Sequence, residues 1–304
     1  MTSQHLRSIA LAKATFAVVV WGASFIATKL ILREVSPVLV IWLRFGIGVL
    51  ILGAFVVARK ELALPAKREL GYFCLLGFLG ITFHQWLQVT GLVTARATTT
   101  AWIITTIPIF IAILGHVFLH ERLGWTRIGG IGLAAVGVML VVTHGNIQSI
   151  LDGRIGSVGD LLVLISALNW AVFSVLSRKA LKVHPATQMM FYVMSSGWLF
   201  TCFWLVGSGH SGELARLSSS GWLSVLFLGV LCSGLAYISW YDALKELSAS
   251  HVGSLLYIEP LVAVIVAAVL LQEPLFVAAG VGGALILLGV WIVNRGSTIQ
   301  TAPD

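Results

Sequence analysis

The sequence predicts an all-α integral membrane protein: ten transmembrane helices, arranged as two inverted five-helix repeats around a central cavity. Three observations predict it. First, the 304 residues are 58% apolar and 10% charged, with mean hydropathy +0.98. Soluble domains carry about 25% charged residues, so this chain cannot cover a water-facing surface. Second, ten stretches approach the ~20 apolar residues that a bilayer span needs. Third, the second half repeats the first. An offset of 152 places Ala249 on Ala97, Pro260 on Pro108, Glu273 on Glu121, Leu275 on Leu123, Gly282 on Gly130 and Gly289 on Gly137. Apolar composition aligns leucines by chance, but rarely Pro, Glu and two Gly at one offset.

The spans fall at roughly 11–32, 37–58, 70–92, 97–118, 125–143, 158–178, 186–206, 220–242, 248–271 and 275–294. Short punctuation separates them, at Ser36-Pro37, Leu64-Pro65-Ala66, His184-Pro185 and Glu273-Pro274. The first repeat is residues 1–145, a hydrophilic loop rich in Gly, Asp and Ser covers 146–157, and the second repeat with a short tail covers 158–304. No loop is long enough to fold into a soluble domain, and no Gly-rich phosphate loop ending in Lys-Ser/Thr occurs, which excludes an attached ATPase. The first span lacks a small-residue cleavage site, so it reads as a helix and not as a leader. Cys74, Cys202 and Cys232 sit in apolar runs and read as core fillers, with no spacing for a disulfide or metal. No cofactor is expected.

The net charge of +7 would suggest nucleic acid in a soluble protein. Here the basic residues lie at helix ends and report topology, so no nucleic-acid partner is expected. Thirteen Lys and Arg, including Lys13, Arg59, Lys60, Arg178, Lys179 and Lys245, fall on one side, against five on the other: Lys29, Arg33, Arg96, Arg154 and Arg216. That bias puts both termini in the cytoplasm. Five helices per repeat is an odd number, so the second repeat is inverted. Trp21 and Trp170, 149 apart, and Pro37 and Pro185, 148 apart, extend the register.

Polar and aromatic residues form stripes related by the repeat. Thr98, Trp102 and Thr105 share one face of the fourth helix, and become Ser250, Ser254 and Tyr257 on the ninth. His84 and Gln88 on the third become Ser233 and Tyr237 on the eighth. Two readings stand side by side. Hydroxyls in membrane helices commonly bond the carbonyl one turn back, and Trp21, Trp102, Trp170, Tyr237 and Tyr257 would fill a core as well as line a cavity. His84 with Gln88 favours the cavity, because unpaired groups in lipid cost several kcal/mol.

Arg44 and Glu259 sit deep in their spans, where a charge is usually paired or functional. Glu259, two positions from Tyr257, is expected to point away from that stripe, in a structural or gating role with Arg44 as partner; a part in proton coupling stays open. Glu121 and Glu273 are read as capping or bridging groups at helix ends. Pro108 and Pro260 each remove a backbone bond, which makes them hinges or static kinks. The stripes contain no Lys or Arg to hold a phosphate, and the first helix lacks the acid that an organic-cation exporter would want. Aromatic faces, hydroxyls, an amide and an imidazole suit a small neutral or zwitterionic ligand with an aromatic body.

Trp21-Gly22-Ala23-Ser24-Phe25, Arg44-Phe45, Pro108 followed by Glu121, and Pro260 followed by Glu273 resemble the drug/metabolite transporter superfamily over essentially the whole chain. The resemblance is to its ten-helix EamA-type exporters, and within these to the YddG aromatic amino acid exporters. It implies a basket in which helices one, three, four, six, eight and nine surround the cavity while five and ten lie outside. It also implies export from the cytoplasm by alternating access. The expected protein is a monomeric secondary transporter of a bacterial inner membrane, exporting aromatic amino acids and similar amphipathic metabolites. Trp21, Trp102, Trp170 and Tyr257 would enclose the ligand, His84 and Gln88 would bond its polar end, and Tyr237 and Ser254 would complete the site. A broad drug or metabolite exporter is the alternative. An intramembrane enzyme is remote, since His84 has no acidic neighbour at helical spacing.

Overall fold

A computed structural model describes residues 3–119, 124–146, 156–247 and 249–295. Ten helices among these are long and apolar enough to cross a membrane. We number them α1 (Ser3–Ile31), α2 (Pro37–Ala58), α3 (Lys67–Thr94), α4 (Ala97–Ile104, then Ile107–Leu119), α5 (Trp125–Val142), α6 (Val158–Leu181), α7 (Ala186–Ser208), α8 (Ser219–Glu246), α9 (Ala249–Leu271) and α10 (Val277–Arg295). The chain is an all-α integral membrane protein. Of the predicted inter-repeat loop, 147–155 lie outside the described residues, as does Glu121.

Local sequence sets the helix ends. Pro37 opens α2, where its missing N–H is not needed. Ser157 caps α6 in a reciprocal box with Asp160, and Ser218 caps α8 by accepting from the Gly221 N–H. Gly209 ends α7 in the left-handed region, at φ 71°.

The packing repeats with the sequence. α1 lies along α8 as α6 lies along α3, and α1 meets the later part of α9 as α6 meets the later part of α4. α5 packs closely along α10. A Cβ added to Gly130 would stand 2.8 Å from the Gly289 carbonyl oxygen, and one on Gly137 would stand 2.5 Å from that of Gly282. The pairing of 130 with 289 and of 137 with 282 makes these helices antiparallel. Antiparallel packing of α5 and α10 is the arrangement that two inverted repeats require.

Most departures from regular helix recur at matched places; among the described residues, a π segment at Ala267–Leu271 in α9 has no counterpart in α4. A wider π segment interrupts α3 at Phe78–Phe83 and α8 at Phe227–Leu235, starting 149 residues apart. Hinges or static kinks are expected at Pro108 and Pro260; α4 and α9 each break just before their proline. α4 turns at Thr105-Thr106, and α9 tightens to a 3-10 turn at Leu256–Ile258. Pro108 and Pro260 therefore occupy the first turn of a new helical piece and do not kink a continuous one.

Candidate functional site

Side chains from the paired helices reach backbone carbonyls of the π segments in α3 and α8. The Trp21 indole N–H donates to the Cys232 carbonyl at 3.1 Å. In the other half, the Asn169 amide donates to the Leu79 carbonyl at 2.7 Å. Trp21 is thus held beside the α8 π segment, and Asn169, the neighbour of Trp170, ties α6 to that of α3.

Between Trp21 and Trp170 lies a cavity of about 330 Å³. Of the residues singled out in the sequence, Trp21, His84, Gln88, Trp170, Tyr237 and Tyr257 line it, together with Thr105, Pro108, Arg44 and Glu259. Trp21 meets Tyr237 edge-on at 5.4 Å, and the His84 ring lies 4.7 Å from that of Trp170. His84 Nδ1 faces the Ser166 carbonyl at 3.1 Å. Arg44 is buried; its Nε donates to Ser233 Oγ at 3.2 Å and its Nη1 to Gln85 Oε1 at 3.4 Å.

Four expectations need correction. Trp102 does not line the cavity: it is 5% exposed and packs against Gly283 of α10, inside a core cluster with Ile109 and Ile286. Ser254 is exposed, and its hydroxyl bonds the His251 carbonyl of its own helix. Glu259 does not point away from Tyr257. In a continuous α-helix, positions i and i+2 lie roughly 200° apart, but the break at Leu256–Ile258 removes that constraint and both face the cavity. Arg44 and Glu259 form no ion pair with each other among the described residues. Of the first stripe, Thr98 is tied to Glu273, and Thr105 Oγ1 bonds the Ala101 carbonyl at 2.8 Å. The Ser250 side chain lies outside the described residues.

Sequence reading missed Ser24, Phe25, Gln85, Ser174, Trp240 and Tyr241, which also line the cavity. All were accessible to the same-face rule. Ser24 and Phe25 follow Trp21 by three and four residues, Trp240 and Tyr241 follow Tyr237 likewise, and Ser174 follows Trp170 by four. Gln85 precedes Gln88 by three and was accessible to the same rule.

The cavity is asymmetric along the membrane normal. It extends toward the face where α1 begins, reaching Gly253 and the exposed Asn294, which donates to Tyr257 Oη at 2.8 Å. Toward the opposite face Phe25, Ala97 and Ala101 are buried. There the Glu273 carboxylate accepts from the Ala97 N–H at 2.9 Å, the Thr98 N–H at 3.1 Å and Thr98 Oγ1 at 2.8 Å, so the end of α9 caps the start of α4. Lys29 donates to the Ala95 carbonyl beside it. Gly22 lets α1 and α9 meet at the break; a Cβ there would stand 2.6 Å from the Glu259 carbonyl oxygen.

The model of a family described as "EamA-like transporter family" matches this chain twice, over residues 8–143 and 157–295. The chain belongs to the EamA-like transporter family. Each match covers one half of the transporter, as the internal duplication requires. It is 29% identical over 287 residues to a "Probable terminal-alkyne amino-acid exporter" of Streptantibioticus cattleyicolor, covering 91% of each chain. It is also 29% identical over 287 residues to a "Probable amino-acid metabolite efflux pump" of Salmonella typhimurium, covering 92% of each. An "Uncharacterized transporter" of Archaeoglobus fulgidus is 28% identical over 275 residues, covering 90% of this chain and 93% of its own. A crystal structure shares the fold, with TM-score 0.66 at 22% identity over 96% of this chain and 99% of the other.

Proposed function

We propose that this EamA-like transporter exports aromatic amino acids and similar small amphipathic metabolites. The observation that carries the reading is the aromatic wall: Trp21, Trp170, Tyr237, Trp240, Tyr241 and Tyr257 all line one cavity in the membrane interior. Two of the relatives carry names for the export of amino acids or their metabolites, which supports an amino-acid-like cargo. Stacking on Trp and Tyr faces would select an aromatic body. His84, Gln88 and Arg44 would take its carboxylate end.

The Lys and Arg bias supports both termini in the cytoplasm of a bacterial inner membrane. On that topology the cavity opens inward, and the Glu273 cap is the outer closure. Alternating access would follow from bending at the matched breaks in α4 and α9, which exchange roles between the inverted halves. A monomer is sufficient, since one chain builds the whole cavity.

The test is uptake of radiolabelled tryptophan, phenylalanine and leucine into proteoliposomes, with wild type beside Trp170→Ala and Gln88→Ala. The expected result is aromatic-selective flux, reduced about tenfold or more in Trp170→Ala. Leucine moved as fast as tryptophan by wild type would refute the aromatic reading.

A further inference from the structure

Two ionisable side chains line the cavity without an ion-pair partner among the described residues: Arg44, whose donors are met by Ser233 and Gln85, and Glu259. Asp242 takes Lys13 and Arg59, Glu69 takes His184, and Glu273 takes two backbone N–H groups, a hydroxyl and, at 3.9 Å, Lys29. Among the described residues Glu259 forms no hydrogen bond and no ion pair, although it lies mid-span on the cavity wall. A carboxylate in a membrane interior is costly unless paired. Its surroundings are also specific: Trp21, Tyr237 and Tyr257 line the same cavity, and an acid among aromatic faces is the chemistry that holds an organic ammonium.

We infer that Glu259 is the substrate's ammonium-binding residue, so that the transported class is restricted to molecules bearing a protonated amine. The inference rests on the export reading and deepens it. The acid that the first helix lacks is supplied by the break in α9. An α-amino acid would turn its ammonium toward Glu259; a simple aromatic amine would use the same contact. An aromatic carboxylate without an amine would meet Arg44 but leave Glu259 without its counter-charge, and would bind more weakly than the amino acid.

The probes are tryptophan, tryptamine, indole-3-propionate and neutral indole-3-propionamide, which share one ring system. Binding to the purified full-length transporter would be read by calorimetry, and flux in proteoliposomes. Wild type should bind tryptamine at least tenfold more tightly than the propionamide, and tryptophan at least tenfold more tightly than the propionate. Glu259→Gln should bring the tryptamine-to-propionamide ratio close to one, and Glu259→Asp should restore part of it. The wild-type ratio needs no variant, so a Glu259→Gln protein that fails to fold leaves the inference testable. Tryptophan flux from a wild type without amine preference would overturn this inference and leave the export reading standing. The same holds if Glu259→Gln keeps the preference. Amine-selective binding with no flux of any probe would support the ammonium site and overturn export.

Discussion

The two faces of this transporter are fastened by different chemistry. On the face where α1 begins, opposite charges meet: Lys13 and Arg59 converge on Asp242 at 2.8 and 2.7 Å, and Lys245 faces Glu61 at 3.6 Å. On the other face, the short contacts to carboxylates come from N–H groups and hydroxyls, and the Lys and Arg pairs are longer, with Lys29–Glu273 at 3.9 Å and Arg216–Glu213 at 4.0 Å. Glu273 caps α4, Glu34 accepts from the Ser218 N–H and Oγ, and Glu213 accepts from the Ser36 N–H. The repeat does not copy the ion pairs. At offsets of 149 and 148, Lys13, Asp242 and Arg59 fall on Leu162, Val93 and Gly207. The duplicated scaffold therefore fixes where helices run and break, while the fastenings belong to each face separately. The α1–α2–α8 cluster is tied where the cavity opens, and the α4–α9 junction is tied where it is closed.

Glu273→Ala should break the comparison most strongly. It removes the acceptor of three hydrogen bonds, and charged acceptors contribute ~1.5–3 kcal/mol each without strict additivity. We expect a stability loss of about 3 kcal/mol in detergent, and faster amide hydrogen exchange over Ala97–Ala101 with no change around Asp242. Protection retained at Ala97 and Thr98 would remove the cap from the account.

Asp242→Asn should cost less, about 1–2 kcal/mol, because the Lys13 side chain is 43% exposed and partly exposed pairs contribute modestly. Arg59, whose pKa is raised chiefly by its hydrogen bonds to Asp242, loses its main partner. Salt screens pairs at the surface. The wild-type advantage over Asp242→Asn should therefore shrink between 0.1 and 1 M salt, whereas that over Glu273→Ala should not. Equal salt dependence in both would erase the distinction between the faces.

The smallest effect is expected at Glu34. Hydrogen bonds from Ser218 hold its carboxyl below the usual carboxylate range. A group with a depressed folded pKa adds stability above its unfolded pKa, and that contribution fades as pH falls through the folded value. Melting temperature should therefore fall more steeply on acidification in wild type than in Ser218→Ala. Parallel acid limbs would show that the contact carries nothing.

Much of this was legible before any coordinates. Ten spans follow from the solvent they face, and one offset placed Pro108 opposite Pro260 and foreshadowed both breaks. Helical periodicity is where legibility ended. It put Trp102 and Thr105 on one helix face, yet Trp102 packs against Gly283 while Thr105 meets the cavity. It turned Glu259 away, because a period of 3.6 assumes that the helix continues. The rule that failed across the break was sound within unbroken pieces, where it would have found Trp240, Tyr241 and Ser174.

The glycine seam between α5 and α10 has a consequence for how such a chain could originate. Written in first-half numbering, Gly282 is Gly130 and Gly289 is Gly137. The contacts Gly130–Gly289 and Gly137–Gly282 then become Gly130–Gly137 and Gly137–Gly130, a surface meeting itself across a two-fold axis. That is the defining property of an isologous dimer interface. A five-helix chain able to insert in both orientations would already carry both sides of this seam, and gene fusion would need only to fix the opposed pair in one polypeptide.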